Sequence, residues 1–253
     1  MPINFPNKPG LVIYITAGDP DLATTRDIAL AAIDNGADVI ELGVPFSDPL
    51  ADGPVIQRAS ERAVARGTRL TDVLAIAKDL RAARPNCGLV LFSYLNPVIR
   101  LGMEKFCAAA AEAGADGVLL TDMIVEEAGE YLESMRAHNL APIFLAAPTS
   151  PDARLKAIAA VSQGFVYAIS RVGITGTQQQ VAGDASKLVA RLRQFTKLPI
   201  AVGFGISNAD HVKSVGEFAD AAIIGSALVA LIEKTPPELA AAEVGKFIAG
   251  LRT

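Results

Sequence analysis

The chain has 253 residues, 51% hydrophobic and 20% charged, with a formal net charge of −4. That is too apolar for a disordered chain. The charges are mixed in sign with no basic run, which argues against a nucleic-acid surface. No apolar run approaches the roughly 20 residues of a membrane span, and the start, MPINFPNKPG, lacks the order of a signal peptide. The expectation is a soluble cytoplasmic protein.

In chain order, eight short apolar runs read as strands: residues 11–17, 38–42, 88–94, 117–121, 142–146, 164–170, 199–202 and 221–224. Nearly continuous hydrophobicity is the pattern of parallel strands covered on both faces. Amphipathic segments lie between them, among them 22–35, 57–66, 104–113, 125–138, 151–162 and 184–195. Asp19-Pro20 and Ser150-Pro151 read as helix starts, and Gly36, Gly114 and Gly164 as stops. NGADVIEL, AGADGVLL and FADAAIIG repeat one grammar, with an aspartate capping or turning the chain into a strand. No linker or composition shift divides the chain, so residues 1–253 are expected to form one domain. Eight β–α units predict a (β/α)8 TIM barrel. The alternative, a doubly wound sheet, usually has a Gly-rich first turn, whereas this chain has AGDPD.

Barrel chemistry sits at the C-terminal ends of the strands. Along VIELGVPFSDPLADGPVIQ, alternation puts Val39, Glu41 and Gly43 on one face and Ile40 and Leu42 on the other. With the Ile/Leu face on the helices, Glu41 points into the mouth, where desolvation would raise its pKa toward acid/base work. The competing reading is a structural carboxylate satisfied by neighbours. Asp52 follows in a long loop stiffened by prolines. It is either a turn former or a placed functional group.

Other chemistries find little support. His138 and His211 both fall in helical stretches and build no metal cluster. None of the nine lysines ends a strand, which speaks against a Schiff base. Cys87 and Cys107 read as small buried hydrophobes. Gly-rich turns follow the last three strands: Gly173 to Gly176, Gly203 to Ser207, and Gly225-Ser226. They suit a phosphate held by backbone N–H groups at the start of a helix that Ser226 could cap. Between phosphate and carboxylates, Tyr14, Phe92, Tyr94, Leu119, Tyr167 and Phe204 would line an apolar pocket. That favours an aromatic substrate with a phosphate tail.

ELGVPFSDPLADGPVIQ, with TAGDP, YLNPV, SRVGITG, VGFGIS and GSALV, resembles the tryptophan synthase alpha family over nearly the whole chain. The resemblance implies retro-aldol cleavage of indole-3-glycerol phosphate to indole and glyceraldehyde 3-phosphate. Glu41 would be the general acid/base, Asp52 the partner of the indole N–H, and Tyr167 a helper. Gly176, Phe204, Gly205, Gly225 and Ser226 would hold the phosphate, and Thr175 would close over the site and help orient Asp52. Pro45, Asp48 and Pro49 would face a beta subunit in an α2β2 complex that receives the indole. No cofactor is implied in this chain; pyridoxal phosphate belongs to that partner. A stand-alone indole-releasing lyase is the alternative, and an idle scaffold subunit is disfavoured by the intact carboxylates. Three departures from the family stand out: a shortened N-terminal segment, Thr121 where Pro or Ala is usual, and Gln178, Gln179 and Gln180 near the place where an Arg commonly follows the strand-6 loop.

Overall fold

The computed structural model describes residues 3–169, 178–203 and 205–253. Thr175, Gly176 and Phe204 lie outside the described residues, as does Ser170 at the end of the sixth expected strand.

The strands are β1 (Gly10–Thr16), β2 (Val39–Gly43), β3 (Gly88–Ser93), β4 (Gly117–Leu120), β5 (Ala141–Ile143), β6 (Leu145–Ala146), β7 (Val166–Ile169), β8 (Ile200–Gly203) and β9 (Ala221–Ile224). All pairs are parallel, in the order β5-β4-β3-β2-β1-β9-β8-β7-β6. The two ends of this sheet, β5 and β6, are parted only by Phe144. The expected fifth strand is therefore one run that changes partner. Its first half pairs with β4 and its second with β7, and Tyr167 N–H donates to the Phe144 carbonyl at 3.1 Å across the change. The sheet closes into a barrel of eight stations, as the sequence predicts.

Alternation along the strands makes two apolar layers. Ile13, Ile40, Leu42, Leu91 and Phe144 face outward to the helices. Val12, Val39, Val90, Leu119, Ile143 and Phe165 fill the barrel. The helices are α1 (Leu22–Asp34), α2 (Pro54–Ala65), α3 (Leu70–Ala83), α4 (Leu95–Leu101), α5 (Met103–Glu112), α6 (Gly129–Ala137), α7 (Asp152–Val161), α8 (Gln178–Leu192), α9 (Ala209–Gly216), α10 (Ser226–Lys234) and α11 (Pro237–Leu251).

Several boundaries differ from expectation. Asp21, not Asp19, caps α1 by accepting the Thr24 N–H at 2.8 Å. Asp19 instead takes a two-pronged bond from Arg62 at 2.8 and 2.7 Å. The segment 125–138 is not one helix: a single 3-10 turn, Val125–Glu127, precedes α6, which starts at the poor helix former Gly129. Helix α2 starts at Pro54, whose missing N–H costs nothing in the first turn. Gly36 and Gly114 follow the last caps of α1 and α5 with φ of 114° and 80°, but α7 has already ended at Val161 with Ser162 extended, so Gly164, with φ of 73°, turns the chain after the helix rather than stopping it.

The repeated aspartates share one geometry at the N-terminal ends of the strands. Asp38, Asp116 and Asp220 each accept the first N–H groups of a neighbouring strand, from Leu11 at 2.7 Å, Leu89 at 2.9 Å and Ile200 at 2.8 Å. Each also meets an arginine: Arg252, Arg81 and Arg193 respectively. The segment before β1 closes this end of the barrel. Ile3 is buried in the interior cluster, and Phe5 meets Phe165 edge to face at 5.9 Å.

Candidate active site

Glu41 sits mid-strand in β2, flanked in register by Tyr14 of β1 and Val90 of β3. It is fully buried, and neither carboxyl oxygen has a hydrogen-bond partner among the described residues. A lone buried carboxylate is expensive, so the group favours its neutral form. Burial pushes its pKa up to about 8. A neutral carboxyl with no partner can give a proton to a ligand that reaches it.

Asp52 reaches the mouth from the loop between β2 and α2. It is half-buried, although its neighbours Ala51 and Gly53 are exposed. Burial raises its pKa to about 6, against the opposing pull of a hydrogen bond from the Tyr94 hydroxyl at 3.0 Å. Tyr94 projects from the end of β3 and packs on Phe46 with ring centroids 5.2 Å apart. The loop is tied at two more points that sequence reasoning did not identify. Ser60 of α2 accepts the Phe46 N–H at 2.9 Å, and the Gln57 side chain donates to the Asp52 carbonyl at 2.9 Å.

Tyr14 and Tyr167 complete the polar rim. The Tyr14 ring lies across Gly43 so closely that a Cβ there would meet its hydroxyl at 2.3 Å. It stands edge to face with Phe92 at 5.0 Å, and its hydroxyl accepts from Thr16 at 3.3 Å. Burial raises the Tyr14 phenol well above its ordinary range, and the charges of Asp52 and Glu41 add to this. Tyr167 is raised likewise, by burial first and then by Glu41, Asp52 and Tyr14. The four groups thus share one electrostatic environment. Leu119 is buried in the interior layer beside Phe92, its partner in register.

At the turn expected to hold a phosphate, a Cβ added to Gly225 would come no nearer than 3.7 Å to Tyr14 and 3.8 Å to Ile56, ordinary contact distances. Ser226 does not cap α10. The cap position belongs to Gly225, and Ser226 is the first helical residue. The first N–H groups of α10 have no acceptor within the helix, which is the arrangement anions use. Gly205 has φ of 73°, a turn that an L side chain would strain. An ionic web outside the sequence expectation ties these parts together: Arg62 of α2 binds Asp19 and Glu233, and Arg58 binds Glu233 through two bonds at 2.8 and 2.7 Å. It locks α2, which follows the Asp52 loop, to α10.

The residues expected to face a partner divide. Pro45 is buried, Pro49 is half-buried and Asp48 is exposed, with Leu50 beside it 91% exposed. Outside the loop, Pro45 and Asp48 border a groove of about 690 Å3 that Arg69, Asn96 and Arg100 also line. Among the described residues no cluster of three metal-binding side chains occurs. Both cysteines are buried, which pushes their thiols up to about 12 for Cys87 and about 11 for Cys107.

The family model described as tryptophan synthase alpha chain matches residues 3–249. The chain is 48% identical to the tryptophan synthase alpha chain of Burkholderia lata, over 97% of this chain and 90% of that one. With that of Cupriavidus taiwanensis it is 47% identical, over 97% and 92%. Among solved structures it matches the tryptophan synthase a2b2 complex of Pyrococcus furiosus with a TM-score of 0.88 at 38% identity, covering 97% of this chain and 98% of that one. Mycobacterium tuberculosis tryptophan synthase gives 0.88 at 36% identity, covering 97% and 93%.

Proposed function

The chain belongs to the tryptophan synthase alpha chain family, a lyase that works in complex with a beta subunit, and from that premise we propose how its residues divide the chemistry. Glu41 is the general acid/base. Neutral in the empty site, it gives its proton to C3 of the indole ring of indole-3-glycerol phosphate. The ring becomes a cation with its charge on the N–H side. Asp52, mostly ionised at neutral pH with a pKa of about 6, accepts that N–H and stabilises the charge. The Glu41 anion then takes the proton of the glycerol hydroxyl next to the ring. As the C–O bond becomes a carbonyl, the bond to C3 breaks and its electrons return to the ring. Indole and glyceraldehyde 3-phosphate leave, and Glu41 is neutral again.

Tyr167 and Tyr14 keep the reacting carbons between the carboxylates, and Phe92, Tyr94 and Leu119 bound the ring. Gly225 and Ser226 at the start of α10 and Gly205 in the turn after β8 hold the phosphate through N–H groups, with Gly176 and Phe204 assigned to the same task by the family motif and Thr175 to closing over the site and orienting Asp52. Pro45, Asp48 and Pro49 carry the loop toward the beta subunit; exposure of Asp48 and Leu50 supports this. The reading asks no cofactor of this chain, and pyridoxal phosphate stays with the partner. No described helix is long and apolar enough to cross a membrane, and we assign the reaction to the cytoplasm.

The observation that carries this mechanism is the buried Glu41 carboxyl without a partner at the mouth of the barrel. Glu41→Gln is expected to lose indole release by at least about 10³-fold while still binding glycerol phosphate. Indole release measured with and without the beta subunit tests it. Retained activity in the variant would remove Glu41 from its role, and wild-type turnover indifferent to the partner would favour a stand-alone lyase.

A further inference from the structure

The loop carrying Asp52 raises a problem of placement. Its residues Leu50, Ala51 and Gly53 are exposed, so no apolar core fixes the backbone where the carboxylate must aim. A hydrogen bond to a developing charge tolerates little error, since misplacement by about 1 Å costs on the order of 10²-fold. Something rigid has to set the loop from outside.

Tyr94 is in position to do so. Its side chain follows the last residue of β3, is 4% exposed, and is held on one face by Phe46. Its single hydroxyl makes two bonds to adjacent residues of the loop. It donates to Asp52 Oδ2 at 3.0 Å and accepts the Ala51 N–H at 2.9 Å. Backbone and side chain are thereby fixed from one point on the barrel wall. A tyrosine has only two rotatable side-chain bonds, so little freedom is lost in the process. Among the described residues no hydrogen bond reaches Oδ1, which stays available to a ligand.

We propose that Tyr94 is a positioning residue: through Ala51 and Asp52 Oδ2 its hydroxyl sets the loop so that Asp52 Oδ1 meets the ring N–H of the substrate. The proposal deepens the mechanism above and rests on its role for Asp52. It differs from the expectation for Tyr94 as a wall of the pocket, because a wall needs only the ring. The same bond also acts on ionisation. It favours the Asp52 anion against the burial that opposes it. The other titratable groups around Asp52 are the phenols of Tyr14 and Tyr167, which stay protonated in the working range, and Glu41, which shares their environment and is neutral below about pH 8.

Tyr94→Phe keeps the ring and removes the hydroxyl. In the complex with the beta subunit, kcat/KM for indole release is expected to fall at least about tenfold, in line with loss of a hydrogen bond to a charged group. Asp52 should titrate about one unit higher, read by NMR of a 13C-labelled carboxyl with the Asp52→Asn protein as reference. In an Asp52→Asn background, Tyr94→Phe should have little further effect. The carboxyl titration does not depend on turnover, so it tests the contact even if the wild-type chain releases no indole, an outcome that would sink the mechanism instead. An unmoved titration, wild-type turnover in Tyr94→Phe, or full additivity with Asp52→Asn would each overturn the proposal and leave Tyr94 a pocket wall.

Discussion

Glu41 carries a measurable cost in stability, and its pH dependence gives the sharpest test of the site. Its carboxyl is fully buried without a partner, and its pKa is raised from 4.5 to about 8. The folded pKa lies above the unfolded one. Across that window the folded chain keeps a proton that the unfolded chain gives up. Stability from this group is therefore full below about pH 4.5 and is lost as pH rises toward about 8. The full shift of about 3.5 units corresponds to about 5 kcal/mol at 1.36 kcal/mol per unit. Between about pH 5 and pH 8, roughly 3 kcal/mol of it is lost. Glu41→Gln has nearly the same shape and no titration. Its other carboxylates are unchanged, so the difference between the two proteins isolates Glu41. Urea unfolding of both across this range should show the variant gaining about 3 kcal/mol on the wild type, or about 1 M in the midpoint for an m-value of roughly 2–3 kcal/mol/M. Parallel pH profiles would refute the reasoning, because they would mean that Glu41 is already paired or hydrated when the site is empty.

Two further outcomes follow. The kcat/KM profile should be bell-shaped, falling below about pH 6 as Asp52 takes a proton and above about pH 8 as Glu41 loses one. Asp52→Asn should remove the acid limb and lower the plateau about 10²-fold or more; an acid limb that persists would assign it to another group. At the other end of the barrel, Asp38 holds the Leu11 N–H and Arg252 with its side chain 3% exposed. Asp38→Asn should destabilise the fold by about 3 kcal/mol with kcat changed less than about twofold, which a thermal melt and an indole assay on one sample would check. A large loss of kcat with little loss of stability would contradict the division of labour between the two ends.

The parts of this molecule that sequence reasoning reached are those set by local chemistry. Alternation over five residues was enough to turn Glu41 inward, because β2 packs Ile40 and Leu42 on helices. The aspartates before strands read as capping or turning residues from the local repeat alone, but their partners lie on the neighbouring strand and on arginines outside their own strand. What stayed hidden depends on closure of the ring and on partners distant in the chain. The handover at Phe144 exists only because the strand must serve both β4 and β7. Tyr94 meets Asp52 across 42 residues, and Arg62 meets Glu233 across 171. No periodicity encodes such pairs. Ser226 was misjudged as a cap for a local reason: serine is common at that position, but here the helix starts one residue earlier than a serine cap requires.

Carboxylates at the two ends of the barrel obey the same electrostatics with opposite results. Asp38, Asp116 and Asp220 are each given a backbone N–H and an arginine. Their desolvation is offset, and they brace strand to strand. Glu41 is buried more completely than any of these and is given neither. A fold that can satisfy two buried aspartates and a half-buried third at its N-terminal end has not been short of means to satisfy another acid. The unsatisfied carboxyl is tolerable because it takes the neutral form, and that form is the one a proton donor needs. Asp52 lies between these extremes. It is half-buried, held by one neutral hydroxyl, and has a pKa of about 6. An arginine there would hold the anion more firmly but would also cancel the charge that a cationic ring has to meet. A tyrosine fixes the position and leaves the charge in place. On the mechanism we propose, the choice of partner for each acid thus follows from the charge state that acid must hold when the substrate arrives.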